Sequence, residues 1–171
     1  MIPAFPAELV LGLTAHGKAR NELRLREGRT GSLAERPLEG TALGFETKPI
    51  SSAPDAMAPD GSEVRVLCQL SRGGLAIFSL PQNAVSKAVA HRTVEEVWYI
   101  IAGNGRMWRK LGAHEEIVEL SPGISLTIPT GTHFQFRCDG DEPLDAIGAT
   151  MPPWPGEGEA FLVDGAWQPT L

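Results

Sequence analysis

Two residues in this sequence, His91 and Glu96, have the types and the setting for proton-transfer chemistry. A histidine paired with a carboxylate is a competent general acid and base when a substrate reaches the pair. Glu96 stands in an apolar stretch between Val94 and Val97, and Trp98 shares its face of the predicted strand. A carboxylate in apolar surroundings costs free energy unless it is paired, so its presence favours a ligand site. The alternative for the two residues is a hydrogen-bonded pair that is satisfied and inert.

The segments around these residues have the period of β-strands. Valines and other apolar residues alternate with polar ones from residue 63 to residue 70, which predicts a half-buried strand. Turn signals such as Gly103-Asn104-Gly105 and Asp139-Gly140-Asp141 recur about every 8–12 residues, as in a sandwich or a barrel. The predicted strands cover residues 64–70, 75–80, 85–91, 96–102, 106–111, 116–120, 125–129, 133–138, 144–151 and 159–163. The helices of a βαβ fold have no place in this spacing.

The first part of the chain lacks this pattern. Residues 7–27 could form a helix, since Pro6 precedes them and Gly28 follows. We therefore expect residues 1–44 to be an N-terminal arm, partly helical or disordered, or draped over a neighbour. The β-barrel domain is expected to span residues 45–171.

The residues from 83 to 138 resemble two motifs of the cupin family, and every spacing between motif positions holds without a gap. The positions of the first motif are occupied here by Asn83, Val89, His91, Glu96 and Gly103. The positions of the second motif are occupied by Gly123, Pro129, Gly131, Phe134 and Cys138. The resemblance implies an all-β fold, a single cupin jelly-roll or double-stranded β-helix barrel.

The metal-ligand positions of the family are only partly retained. In the family, two histidines, a glutamate and a later histidine hold a divalent metal; here Val89 and Phe134 replace two of them, leaving His91 and Glu96. His133 lies one residue from the last position and would become a ligand only if a bulge turned it inward. Two protein ligands seldom hold a catalytic metal. The resemblance therefore implies no cofactor or a weakly bound divalent metal (Fe, Mn, Ni or Zn).

Apolar and aromatic residues are expected to form the wall of a ligand pocket around His91 and Glu96. The candidates are Val89, Trp98, Phe134 and Phe136. Trp154 lies in a proline-rich segment after the last long strand, from which it could flank the opening. Such a wall suits a planar or sugar-like ligand.

Three functions remain open at this point, and with them the question of whether the protein is an enzyme. The first is a cupin that binds a small molecule in its barrel with weak or no metal. The second is a metal-dependent cupin enzyme, a dioxygenase or isomerase that uses His91, Glu96 and His133. The third is a metal-free sugar epimerase or lyase in which His91 and Glu96 handle the proton.

The composition of the chain excludes some partners. The 171 residues carry a net charge of −6 without a run of lysine or arginine, so we expect no nucleic-acid partner. No apolar run reaches the roughly 18 residues of a membrane span, and no signal peptide is evident, so a cytoplasmic protein is expected. The resemblance also implies a homodimer, with Leu75–Leu80 as a candidate edge strand at the contact.

Overall fold

The computed structural model describes residues 44–171, which form two antiparallel β-sheets. In chain order the strands are β1 (Ala56–Met57), β2 (Glu63–Leu70), β3 (Gly73–Leu80), β4 (Val89–His91), β5 (Glu95–Ala102), β6 (Gly105–Leu111), β7 (His114–Leu120), β8 (Ser125–Ile128), β9 (His133–Cys138), β10 (Leu144–Met151) and β11 (Ala160–Leu162). No helix in this part of the chain is long and apolar enough to cross a membrane. The helix and arm predicted for residues 1–44 fall outside the described residues, apart from Gly44.

The strands divide between a six-stranded and a five-stranded sheet. The first has the order β1-β2-β3-β10-β5-β8 and the second the order β11-β4-β9-β6-β7. Strands adjacent in sequence often lie in different sheets, so the chain crosses between the sheets several times, as in a jelly roll. The all-β jelly-roll prediction is confirmed.

Strand β5 positions the candidate site. Along it, exposed and buried residues alternate, with Glu95 and Val97 outside and Glu96, Trp98 and Ile100 inside. This is the period of two that the sequence predicts. The inward residues join a core between the sheets that includes Leu80, Ile100, Met107, Phe136 and Leu144.

The predicted strand at 85–91 is shorter in the structure, where β4 begins only at Val89. Before it, the Ser86 hydroxyl accepts a hydrogen bond from the Phe136 amide at 3.1 Å. The Gln135 side chain donates to the Ser86 carbonyl at 2.7 Å. Side-chain hydrogen bonds thus replace some of the backbone hydrogen bonds between strands. The two-residue period of a strand does not reveal such bonds.

The prediction that Leu75–Leu80 forms an edge strand is wrong. Strand β3, which contains these residues, lies between β2 and β10 and is paired on both sides. A strand paired on both sides has no free backbone groups to offer a second copy. The homodimer stays a prediction.

The turn glycines behave as their positions in the motifs predict. Gly103, Gly123 and Gly131 have φ values of 74°, 97° and 78°. These are left-handed conformations that glycine adopts at little cost. At Gly103 a side chain would also meet the Pro143 carbonyl oxygen, so this turn tolerates only glycine.

Candidate functional site

A cavity of about 190 Å³ lies between the two sheets. Strands β1, β2, β3, β5 and β10, with residues 58–60, form one wall, and β4, β9 and β11 form the other. Five of the strand residues that the sequence singles out line it: Val89, His91, Glu96, Trp98 and Phe134. The period of two along each strand brings them to one interior, because each occupies an inward position.

Glu96 contributes a buried carboxyl to this cavity. It is 2% exposed and lies opposite Thr150 of β10 and Ile128 of β8. Its Oε2 accepts a hydrogen bond of 2.8 Å from Trp98 Nε1, while its Oε1 has no hydrogen-bond partner. Burial raises the pKa of Glu96 to about 7; the hydrogen bond from Trp98 opposes this rise, and the nearby Asp60 carboxyl adds to it. The group is therefore poised between its charged and neutral forms near neutral pH.

His91 contributes a buried imidazole from the other wall. It ends strand β4, is 6% exposed, and its Nδ1 has no hydrogen-bond partner. The edges of the Phe134 and Trp154 rings contact it, each with a centroid distance of 5.2 Å. Burial lowers the pKa of His91, against a smaller opposite effect of Glu159, so the ring is neutral near pH 7.

His91 and Glu96 are not bonded to each other. They belong to opposite sheets, since β4 lies in the five-stranded sheet and β5 in the six-stranded one. Each leaves one buried polar atom without a partner. The structure thus does not contain the satisfied and inert pair that the sequence left open. Two unpaired polar groups instead face one space from opposite sides.

Aromatic rings make up much of the cavity wall. Phe78 stacks on Trp98 with a centroid distance of 4.9 Å and an angle of 9° between the ring planes. Phe134 meets the Trp98 ring edge to face at 6.3 Å. Trp154, which is 40% exposed, also lines the cavity. The flanking role that the sequence predicts for Trp154 stays a prediction.

Two predicted site residues lie away from the cavity. Phe136 is buried in the core, where its ring meets Trp98 edge to face at 5.1 Å, and it is not part of the cavity wall. His133 is half-buried and precedes the inward Phe134, so it faces the other side of β9. No register irregularity interrupts the pairing of β9 with β6, and a bulge was the condition under which His133 would have turned inward.

The sequence pattern did not identify two acidic residues near the site. Asp60 precedes β2 and lines the cavity; its Oδ1 accepts hydrogen bonds from the Ser62 amide at 2.8 Å and the Ser62 hydroxyl at 2.7 Å. Burial raises the pKa of Asp60, although the bonds from Ser62 oppose the rise. The Asp-Gly-Ser run is a turn signal. It did not indicate that this turn would close one end of a cavity.

The other residue, Glu159, accepts hydrogen bonds from the loop that joins β4 to β5. Its Oε1 accepts hydrogen bonds from the amides of Thr93 at 2.6 Å and Val94 at 2.8 Å, and its Oε2 accepts one from the Thr93 hydroxyl at 2.9 Å. This loop separates His91 from Glu96 in the sequence. Glu159 therefore helps to hold both site residues in place.

The donor atoms around the cavity do not fit a resident divalent metal. Trp98 already donates a hydrogen bond to one oxygen of Glu96. Val89 and Phe134 have only carbon atoms in their side chains, at the two positions where a metal-binding site would need a nitrogen ligand. Within residues 44–171 no group of three or more His, Cys, Asp or Glu side chains is placed to hold a metal ion. The described residues therefore form no site with the three or more protein ligands that a catalytic metal normally needs.

We expect the purified protein to contain well under one divalent metal ion per chain. We also expect Mn²⁺, Ni²⁺ or Zn²⁺ to leave the melting temperature unchanged, because a site of two opposed groups gives too little binding energy to stabilise the fold. Elemental analysis of protein purified without chelators, and melting curves with each ion, measure this. A stoichiometric metal that is lost in the His91→Ala variant would contradict the expectation.

A family model supports the likeness that the motifs indicate. The model for the cupin domain matches residues 76–148, the stretch from the middle of β3 to the middle of β10. No curated protein matches the chain.

Several solved structures share the fold. The capsular polysaccharide assembling protein CapF from Staphylococcus aureus matches with a TM-score of 0.55 and 16% identity, over 70% of this chain and 35% of that chain. A mutant of the Bacillus subtilis oxalate decarboxylase OxdC matches with a TM-score of 0.54 and 17% identity, over 65% of this chain and 30% of that one. This chain thus spans about a third of the length of either protein.

A third structure has a length similar to that of the present barrel. It is an uncharacterised conserved protein with a double-stranded β-helix domain from Klebsiella pneumoniae. The TM-score is 0.54 and the identity 14%, over 70% of this chain and all of that one. At such identities the likeness shows the fold alone.

Proposed function

Because this chain contains a cupin domain, we propose that its β-barrel binds a small molecule between the two sheets, without a tightly bound metal. One observation carries the proposal. Glu96 Oε1 and His91 Nδ1 are buried, lack hydrogen-bond partners, and belong to residues that line the same cavity from opposite sides.

Unpartnered polar atoms are costly inside a protein. Each buried donor or acceptor left without a partner costs about 1–3 kcal/mol. An apolar pair at these positions would avoid this cost, as Val89 and Phe134 do beside them. A ligand that hydrogen-bonds to both groups would recover this free energy on binding. The arrangement therefore favours a binding site over a solid core.

The size and wall of the cavity also suit a ligand. An apolar cavity of about 150 Å³ is large enough to bind benzene. The present cavity, at about 190 Å³, is somewhat larger, and its wall combines aromatic rings with a few polar groups. Small-molecule sites generally have this composition.

Filling the cavity tests the proposal directly. Ala76 is buried on β3 and lines the cavity, so Ala76→Leu would place three more carbon atoms in it. We expect this variant to fold and to lose the rise in melting temperature that the best ligands of a small-molecule library give to the original protein. Thermal melting across the library, followed by titration calorimetry of the compounds that raise it, measures the effect.

The matched control is Ala149→Leu, which makes the same change on the outer face of the same sheet. Ala149 of β10 pairs with Val97, whose side chain is exposed. The control should keep the full ligand response. An equal response in both variants, or no response from the original protein to any compound, would reject binding in the barrel.

A second candidate is a metal-free acid–base enzyme, such as a sugar epimerase or lyase. The pKa of Glu96, raised to about 7, favours it, because a group with a pKa near the working pH exchanges protons efficiently. His91 would face the same substrate from the other sheet. Turnover of a bound compound that disappears in Glu96→Gln while binding remains would distinguish this enzyme from a binding protein.

A further inference from the structure

We propose that the ligand of this cavity is a small organic cation, an ammonium group attached to a single apolar ring or a short hydrocarbon chain. The inference rests on the proposed function, since it names the chemical class of the molecule that the barrel binds. It follows from the charges in the cavity wall, the free oxygen of Glu96, the aromatic faces and the size of the space.

The charged side chains that line the cavity have one sign, although Lys87, which is not a lining residue, lies close enough to Asp60 to oppose the rise that burial causes in its pKa. Glu96 and Asp60 both line the cavity, and Glu159 lies close enough to His91 to affect its charge. Among the described lining residues there is neither lysine nor arginine. An anionic ligand would be buried beside carboxyl groups without a countercharge, which is unfavourable in an apolar site. A cation would find its countercharge in place.

Glu96 is prepared to receive such a cation. The bond from Trp98 Nε1 to Oε2 fixes the carboxyl, and Oε1 remains without a partner. An ammonium N–H that donates to this oxygen forms a charge-assisted hydrogen bond, which is stronger than a bond between neutral groups. It would also satisfy an atom that otherwise stays buried and unpaired.

The aromatic wall adds a second attraction for positive charge. Ring faces carry partial negative charge and attract cations that lie within about 6 Å of the centroid. The rings of Phe78, Trp98, Phe134 and Trp154 all line the cavity. They differ in orientation: Phe78 lies parallel to Trp98, and Phe134 is turned by 75° from it. An ammonium group near Glu96 would therefore have aromatic neighbours as well as its carboxylate.

The volume limits the rest of the ligand. Since about 150 Å³ accommodates benzene, a cavity of about 190 Å³ has room for one ring and a short substituent. Benzylammonium fits this description. Benzyl alcohol and benzoate share its ring but are neutral and negative, so the three compounds form a matched series that differs in charge.

The experiment measures the dissociation constants of these three probes for the full chain by titration calorimetry at neutral pH and low salt. We expect benzylammonium to bind about ten-fold or more tightly than benzyl alcohol, since a hydrogen bond to a charged group exceeds a neutral one by about that factor. Benzoate should not bind measurably. Equal affinity for benzylammonium and benzyl alcohol, or tighter binding of benzoate, would overturn the inference.

Two variants assign the preference to Glu96. Glu96→Gln keeps an oxygen that can accept the bond from Trp98, so the variant should fold, and its melting curve verifies this. It should lose about ten-fold in affinity for benzylammonium and little for benzyl alcohol. Glu95→Gln removes the neighbouring charge from the exposed face and should change neither value. An unchanged benzylammonium affinity in Glu96→Gln would overturn the inference.

The same measurements separate this inference from the proposed function. Binding of benzyl alcohol that Ala76→Leu abolishes, without any preference for benzylammonium, would reject the cation and retain the binding site. If none of the three probes binds, a one-ring ammonium ligand is rejected, and the library screen then decides on the binding function by itself.

Discussion

The Glu96→Gln variant should gain stability relative to the original protein as the pH rises, by about 3 kcal/mol between pH values near 4 and near 8. The pKa of Glu96 is raised from an ordinary value of 4.5 to about 7 by burial. The folded protein thus holds this proton at pH values where the unfolded chain has released it. Below 4.5 the group is neutral in both states and burial has no charge to penalise. Between about 4.5 and about 7 the original protein loses stability, because its unfolded chain has released the proton and its folded chain still holds it, and above 7 the loss is complete. Glutamine does not ionise and shows no such loss.

Urea denaturation of both proteins across this pH range measures the difference. Glu95→Gln is the matched control, because Glu95 is the exposed neighbour on the same strand, and its difference from the original protein should stay nearly constant. A constant difference for Glu96→Gln as well would mean that Glu96 titrates at its ordinary pKa in the folded protein. The carboxyl could not then be held in a dry cavity.

The Glu159→Ala variant should lose about 1–3 kcal/mol of stability near neutral pH, since the Val94 amide is buried and a buried donor left without an acceptor costs about that much. The carboxylate of Glu159 accepts bonds from the amides of Thr93 and Val94 and from the Thr93 hydroxyl. Alanine leaves all three donors without this partner. Because they belong to the loop between His91 and Glu96, ligand binding should weaken as well.

The stability that Glu159 contributes falls as the pH falls, whereas Glu96 destabilises the fold as the pH rises. Burial raises the pKa of Glu159, but the hydrogen bonds from Thr93 and Val94 outweigh it, so the net pKa lies below the ordinary value of 4.5. Glu159 therefore stabilises the fold above that value, and its contribution fades as the pH falls through the folded-state pKa. Thermal or urea denaturation should show Glu159→Ala approaching the original protein in acid. The exposed Glu157→Ala is the control, and an equal loss in both variants would contradict the role of these bonds.

The opposite signs at these two residues fit a division of roles. Glu159 stabilises the fold through bonds that are complete, whereas Glu96 weakens it at neutral pH through a charge that lacks a partner. Evolution tolerates a destabilising group most readily at a functional site. This difference supports the proposal that Glu96 serves a ligand.

Most of the strand pattern could be predicted because it depends on local period. Alternation along residues 96–102 placed Glu96 and Trp98 on one face, and the structure agrees. Turn glycines such as Gly103 and Gly123 were predictable for a similar reason, since their left-handed φ values are a local requirement of the turn. The pattern failed where side chains compete with the backbone ladder, as at Ser86.

The two-residue alternation along a strand identified which side chains point inward, but it did not distinguish the wall of a cavity from a filled core. Phe134 and Phe136 both face inward from β9 and both meet Trp98 edge to face, yet only Phe134 lines the cavity. The distinction depends on the neighbours that other strands provide. No single segment of sequence contains this information.

Strand period, turn chemistry and residue type are local properties of the chain. They sufficed to predict the barrel, the inward direction of His91 and Glu96, and the replacement of two metal-ligand positions by Val89 and Phe134. The closed barrel shows that His91 and Glu96 line one cavity from opposite sheets without a bond between them, and that Asp60 lines it as well. Strand pairing brings together residues that are far apart in the chain, and local sequence does not contain that arrangement. The burial that sets the pKa of Glu96 and leaves its Oε1 free arises only when both sheets have closed.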